Sequence, residues 1–237
     1  YCVSFHNIKY MKKFILSIAI FFFLNVQTYS HVGHYAKYNY LEYELFRNNS
    51  TIGYHKFNFY RDGENLEIQS EVSFKIIKLG VVLYNYFAKS DENYKKGEFI
   101  SYSSKTNQNK KNRYVNIKLD PNKDKLIIDG SSYKGEANKE FIVGTWWNHE
   151  IIKKKAQISG ISGRIIEQTV TFIGKEDVKI GDKIYKTLRF NFKSSDETLP
   201  DSKKLNTDIW YEENSYLWVK AAFDKTGYWE YRLKKVN

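Results

Sequence analysis

Apolar and polar positions alternate along most of the chain. Leu66, Ile68, Ser70, Val72, Phe74 and Ile76 share one side of a run whose other side is Asn65, Glu67, Gln69, Glu71, Ser73 and Lys75. A period of two with one largely apolar side marks a β-strand that buries one face. Residues 113–119 repeat the pattern, with Val115, Ile117 and Leu119 opposite Tyr114, Asn116 and Lys118. Residues 184–192 do so again, with Ile184, Leu188, Phe190 and Phe192 opposite Lys183, Arg189, Asn191 and Lys193. Turn residues punctuate these runs, among them Asn48-Asn49, Asp62-Gly63, Asp129-Gly130 and Gly181-Asp182. Runs so spaced predict about eleven strands joined mainly by hairpins. A long antiparallel meander must protect its edges, so the expected architecture is mostly β, curled into an open or partly closed β-barrel. Residues 175–183 and 194–204 read as loops. Residues 144–156 lack alternation and predict one short helix near 146–156, with Thr145 as N-cap and lysines in the last turn.

The N-terminal region has a different character. Lys12 and Lys13 precede an apolar run from Phe14 to Leu24, and Thr28 and Ser30 place small polar residues before His31. Residues 11–30 therefore read as a cleavable signal peptide. The apolar run is shorter than the ~20 residues that span a bilayer, although retention as an uncleaved anchor stays open. Residues 1–10, upstream of Met11, read as a spurious extension, and residues 31–237 as a single domain. The only cysteine, Cys2, lies in the extension, so the domain has no disulfide to rely on.

Composition adds two points. Tyr (20), Phe (16) and Trp (5) are abundant, which favours strands. Lys and Arg (38) outnumber Asp and Glu (27), for a net charge of +11. Export argues against nucleic acid as the partner of this basic chain. Anionic surfaces such as phospholipid headgroups are then candidates for peripheral contact. The lysines are spread throughout, which equally fits solvated strand faces.

Several short motifs are familiar. They are Leu41-Glu42-Tyr43-Glu44-Leu45 followed by Ile52-Gly53; Leu79-Gly80-Val81 with Tyr84-Asn85-Tyr86; Trp147-Asn148; and, near the end, Asp208-Ile209-Trp210-Tyr211, Leu217-Trp218-Val219 and Glu230-Tyr231-Arg232-Leu233. With them the chain resembles the bacterial exported family DUF6134, of unknown function, and more distantly DUF3108. The resemblance implies a periplasmic, mostly antiparallel protein similar to the half-barrels that carry lipoproteins across the periplasm. It implies no activity and no catalytic set.

Candidate chemistry is sparse. Gly160-Ile161-Ser162-Gly163-Arg164 misses the nucleophile-elbow pattern at its last position. His149-Glu150-Ile151-Ile152-Lys153 misses a zinc-binding motif because lysine stands where the second histidine belongs. No cofactor is expected. Cleavage before His31 would free an amine and an imidazole that could chelate copper, with His34 or His55 adding a nitrogen; a frayed polar stub is the other reading. Trp146, Trp147, Asn148 and His149 are the leading ligand-binding candidates, since adjacent indoles on a strand cannot enter one core together. The alternative is that a tryptophan anchors the helix and Asn148 satisfies a backbone group. Tyr84 and Tyr86 belong to the apolar run 79–87, which would line the concave face or form a strand buried on both faces. The expected function is non-enzymatic binding of a lipid-like or other apolar ligand. The alternatives are an envelope assembly protein that contacts a protein partner, and a metal-dependent enzyme built on His31.

Overall fold

The computed structural model describes residues 35–237. The signal-like segment, the upstream extension, His31 and His34 lie outside the described residues. Fifteen strands form one sheet. In one arm, β1 (Tyr40–Arg47), β2 (Ser50–Asp62), β3 (Asn65–Lys78), β4 (Val81–Lys95), β5 (Glu98–Gln108), β6 (Lys111–Asp120), β7 (Lys125–Gly130) and β8 (Lys134–Asn138) follow one another as a meander. In the other, β9 (Ile142–Val143), β10 (Ala156–Ile158), β11 (Ile165–Ile180), β12 (Lys183–Ser194), β13 (Asn206–Glu212), β14 (Trp218–Asp224) and β15 (Tyr228–Val236) return to the start, and β15 pairs with β1. All pairings are antiparallel except β9 with β10. The outer edges are β8 and β9, which do not pair with each other. The sheet is therefore open, with only Lys139, Glu140 and Phe141 linking its two edges in sequence.

Four expectations need correction. There are fifteen strands rather than about eleven, because β8, β9 and β10 are too short to display a period. Residues 175–180 belong to β11 rather than to a loop; that part of β11 is mostly exposed, and only Val178 and Ile180 mark its apolar side, too few to read as a period. The expected helix near 146–156 is a five-residue 3-10 helix, His149–Lys153, capped by Asn148 and not by Thr145. The run 79–87 neither lines the concave face throughout nor is buried on both sides. Pairing of β3 with β2 ends at Phe74, and pairing of β4 with β5 ends at Tyr86. The β3–β4 hairpin projects beyond both neighbours, and Leu79, Val81, Val82 and Leu83 are exposed. A smaller difference falls on β12, where Ile184 is exposed and Tyr185 is buried. There β12 runs past the end of β13 and pairs with β11 alone; two-stranded ribbons twist more strongly, which changes which side faces inward.

The inner faces of the two arms pack on each other. The larger core includes Leu41, Tyr43, Phe57, Ile68, Phe192, Ile209, Tyr211 and Trp218. Tyr43 stacks on Trp218 at 3.9 Å between ring centroids, and its hydroxyl donates to the Trp218 carbonyl at 2.8 Å. A second core joins Val115, Ile117, Leu126 and Ile128 of β6 and β7 to Val143 and Ile158 of β9 and β10. Trp147, at 1% exposure, stands edge-on to Tyr35, Phe59 and Tyr94, with centroids 5.5–5.9 Å away.

Candidate ligand cavity

Barrel interiors are normally filled by large side chains. Here the middle of three adjacent strands presents small ones. Register aligns Ser70, Ser90 and Ser104 across β3, β4 and β5, and beside them Val72, Ala88 and Thr106. Continued onto β2, the second row reaches His55, and the first reaches Phe57. These short side chains leave a half-open cavity of about 220 Å³. That equals the share of roughly seven waters at ~30 Å³ each. Tyr86, Tyr102 and Tyr231 border it, and Trp146, Gln157 and Ile161 cover it from the segment between β9 and β11.

The lining mixes apolar and polar side chains and carries one charged group, Lys89. Burial holds His55 down at about 3, so its imidazole is neutral at physiological pH. One imidazole nitrogen, Nε2, lies 2.9 Å from Ser70 Oγ, while Nδ1 is shielded from solvent and has no hydrogen-bond partner. Burial pushes the Tyr102 and Tyr231 hydroxyls up to about 12, so both keep their protons. Lys89 also borders the cavity, but its ammonium pairs with Glu71 at 3.2 Å. Ser104 Oγ and Tyr102 Oη both donate to the Gly160 carbonyl, at 2.5 and 3.1 Å, which ties the covering segment to the sheet.

The sequence-derived candidates separate in space. Trp146 and Tyr86 reach the cavity. Trp146 has φ of +52°, a left-handed conformation that costs a bulky residue about 1–3 kcal/mol and clusters at functional sites. It is held edge-on to Trp218 and Tyr231 at 5.4 and 5.5 Å. Trp147 turns the other way into the core, and its Nε1 donates to Glu92 Oε2 at 3.0 Å. Asn148 accepts from the Glu150 amide at 3.1 Å and donates to Tyr94 Oη at 3.4 Å. It borders a wider cleft of about 530 Å³ whose rim carries Lys139, Glu140 and Lys154. His149 is buried, stacks on Tyr216 at 4.6 Å and lies 3.4 Å from Glu150 Oε1. Tyr84 stacks on Phe74 at 5.9 Å outside the cavity. Among the described residues, no three His, Cys, Asp or Glu side chains come together as a metal site.

Sequence reasoning missed the serine rows, His55 as a cavity residue, and Glu92. Glu92 is 2% exposed and accepts from Tyr94 Oη (2.5 Å), Trp147 Nε1 (3.0 Å) and Thr145 Oγ1 (3.4 Å). Burial raises its carboxyl above the ordinary value against these three donors. Extending the alternation of β4 from Tyr86 through Ala88 and Ser90 would have placed Glu92 inside.

Comparison with known proteins bears on the fold. No curated protein matches the chain. The crystal structure of a beta-barrel-like protein of domain of unknown function DUF1849 from Brucella abortus superposes with a TM-score of 0.59 at 13% identity, covering 84% of this chain and 96% of that one. At that identity the likeness shows a shared fold and nothing more. Residues 43–234 match the family model of the domain of unknown function DUF6134, nearly the whole described region, and the chain belongs to that family.

Proposed function

We propose that this protein is a non-enzymatic binder of a small uncharged amphipathic molecule, or of the uncharged end of a lipid-like one, acting in the periplasm. The signal-like segment 11–30 supports the location. The observation that carries the binding reading is a half-open cavity framed by two rows of small inward side chains and bordered by Tyr86, Tyr102, Tyr231 and Trp146. The serine and threonine hydroxyls of the two rows offer partners for a ligand hydroxyl. The tyrosines and Trp146 supply the apolar surface. The charged group at the border, Lys89, is already paired with Glu71 at 3.2 Å, so an ionic ligand group would lose its hydration with little compensation.

Titration with n-octanol and with octanoate, followed by tryptophan fluorescence at neutral pH, tests this. Octanol is expected to bind, and octanoate at least about tenfold more weakly. Ser90→Leu fills the cavity from β4 and is expected to abolish octanol binding in a protein that melts normally. Equal binding of alcohol and carboxylate, or undiminished binding to the folded Ser90→Leu protein, would reject the cavity as the site.

A further inference from the structure

The β3–β4 hairpin tip is unlike the other hairpin tips of the molecule. It is a two-residue turn, Leu79-Gly80, flanked by the pair Lys78 and Val81. Both turn residues have positive φ, +51° and +77°. Such turns favour Asn-Gly or Asp-Gly, because a branched apolar side chain gains nothing from the left-handed conformation. The comparable two-residue tips carry polar side chains or glycine, with Asn48-Asn49 between β1 and β2, Lys96-Gly97 between β4 and β5 and Asn109-Lys110 between β5 and β6. Here leucine occupies the apex and is 95% exposed. Ile77, Val81, Val82 and Leu83 behind it are also at least half exposed. The ribbon protrudes past β2 and β5, so neither of its faces has a core to join. An exposed apolar cluster maintained at a conformational cost marks a contact surface.

Charge identifies what it contacts. Lys75 and Lys78 flank the tip on β3. The β5–β6 turn, bearing Lys110 and Lys111, lies beside its base, where the Asn109 amide donates to the Asn85 carbonyl at 2.9 Å. Arg113 lies close enough to act electrostatically on Tyr84. No Asp or Glu occurs in residues 72–90 or 99–119. An apolar apex above a cationic collar matches the two layers of an anionic bilayer surface, acyl chains beneath and phosphates above. Among the described residues no helix is long and apolar enough to cross a membrane, so contact through this ribbon would be peripheral.

We propose that the β3–β4 hairpin tip inserts into the interface of anionic phospholipid bilayers, with Leu79 and Val82 as anchors and the lysine collar on the headgroups. The proposal is independent of the cavity, which contains none of the tip residues. The test is flotation of the protein with phosphatidylglycerol vesicles and with phosphatidylcholine vesicles. Binding to the former is expected to exceed binding to the latter at least about tenfold at low salt, and to weaken as salt rises. Leu79→Asn with Val82→Thr is expected to weaken binding by at least about tenfold. Asn-Gly is a favoured turn pair, so this variant is expected to melt no lower than the parent, with unchanged octanol binding. Failure of the parent to float with phosphatidylglycerol vesicles overturns the proposal. So does undiminished binding by the variant, or equal binding to both lipids. Loss of self-association in the variant, with no vesicle binding by the parent, would assign the tip to a second copy of the chain and also overturns it.

Discussion

Trp147→Ala is expected to bring the domain close to unfolding. The indole is 1% exposed and is enclosed edge-on by Tyr35, Phe59 and Tyr94. Deleting a buried tryptophan typically costs about 3–5 kcal/mol, a large part of the 5–15 kcal/mol that holds an ordinary domain together. The same change removes one of three donors to the buried Glu92 carboxyl. Trp147→Phe keeps most of the volume and is expected to cost about 1–3 kcal/mol, chiefly through that lost donor. Urea unfolding followed by circular dichroism measures both. A cost below about 1 kcal/mol for Trp147→Ala would mean that the interior repacks freely and that Trp147 is no keystone. Its neighbour Trp146 is half-buried and borders the cavity, so truncating it is expected to show in ligand affinity more than in stability.

 Trp146→Ala is accordingly expected to unfold at nearly the parent urea concentration while losing octanol binding.

The second large effect is acid lability from His55. Its imidazole is held at about 3 in the folded protein, against 6.5 when unfolded. The folded state therefore binds fewer protons than the unfolded state between pH 3 and 6.5. The stability His55 contributes is complete above pH 6.5 and is lost as the pH falls through that window. The shift corresponds to roughly 2–3 kcal/mol between pH 7 and pH 4.5, and to roughly 4–5 kcal/mol below pH 3. Glu92 acts with the opposite sign. Its folded-state value is raised, so its contribution is complete below the ordinary 4.5 and is lost as the pH rises through the raised value. Above pH 4.5, as far as the raised Glu92 value reaches, the two slopes therefore oppose each other. Urea unfolding of the parent and of His55→Gln at pH 7 and pH 4.5 isolates the histidine. The stability lost on acidification is expected to be smaller in the variant by roughly 2–3 kcal/mol. An identical loss in both proteins would mean that His55 takes up its proton in the folded state as readily as in the unfolded one.

Much of the fold was legible because one physical signal recurs. Leu66, Ile68 and Phe74 of β3, and Val115 and Ile117 of β6, are buried on the side their alternation indicates. Hairpin turns at Asn48-Asn49 and Gly181-Asp182 fall between strands as their residues require. The pattern failed where a strand lacks one wet and one dry face. The ribbon 175–180 is mostly exposed and reads as a loop. The tip of β3–β4 is apolar yet unburied, which periodicity cannot distinguish from a core strand. The cavity was hidden for another reason. Ser70, Ser90, Ser104 and Thr106 look like ordinary polar positions, and only the register of three strands reveals that their small volumes coincide. The adjacent tryptophans could be divided between wall and core in principle, but the left-handed backbone at Trp146 decides which faces which.

The pairing of β1 with β15 has a consequence for how the chain comes to be folded. Within each arm nearly every strand meets its sequence neighbour, so the arms can form from local contacts at little loop-closure cost. The join between them couples the first strand to the last. While the chain is incomplete, β1 has β2 on one side and a bare row of backbone donors and acceptors on the other, a ready template for foreign strands. Its inward Leu41, Tyr43 and Leu45, all fully buried in the finished protein, would at that stage lack their cover from the other arm. A chain emerging from its N-terminus thus carries an open β1 edge until β15 is made, and a chaperone that shields β1 would be needed until then.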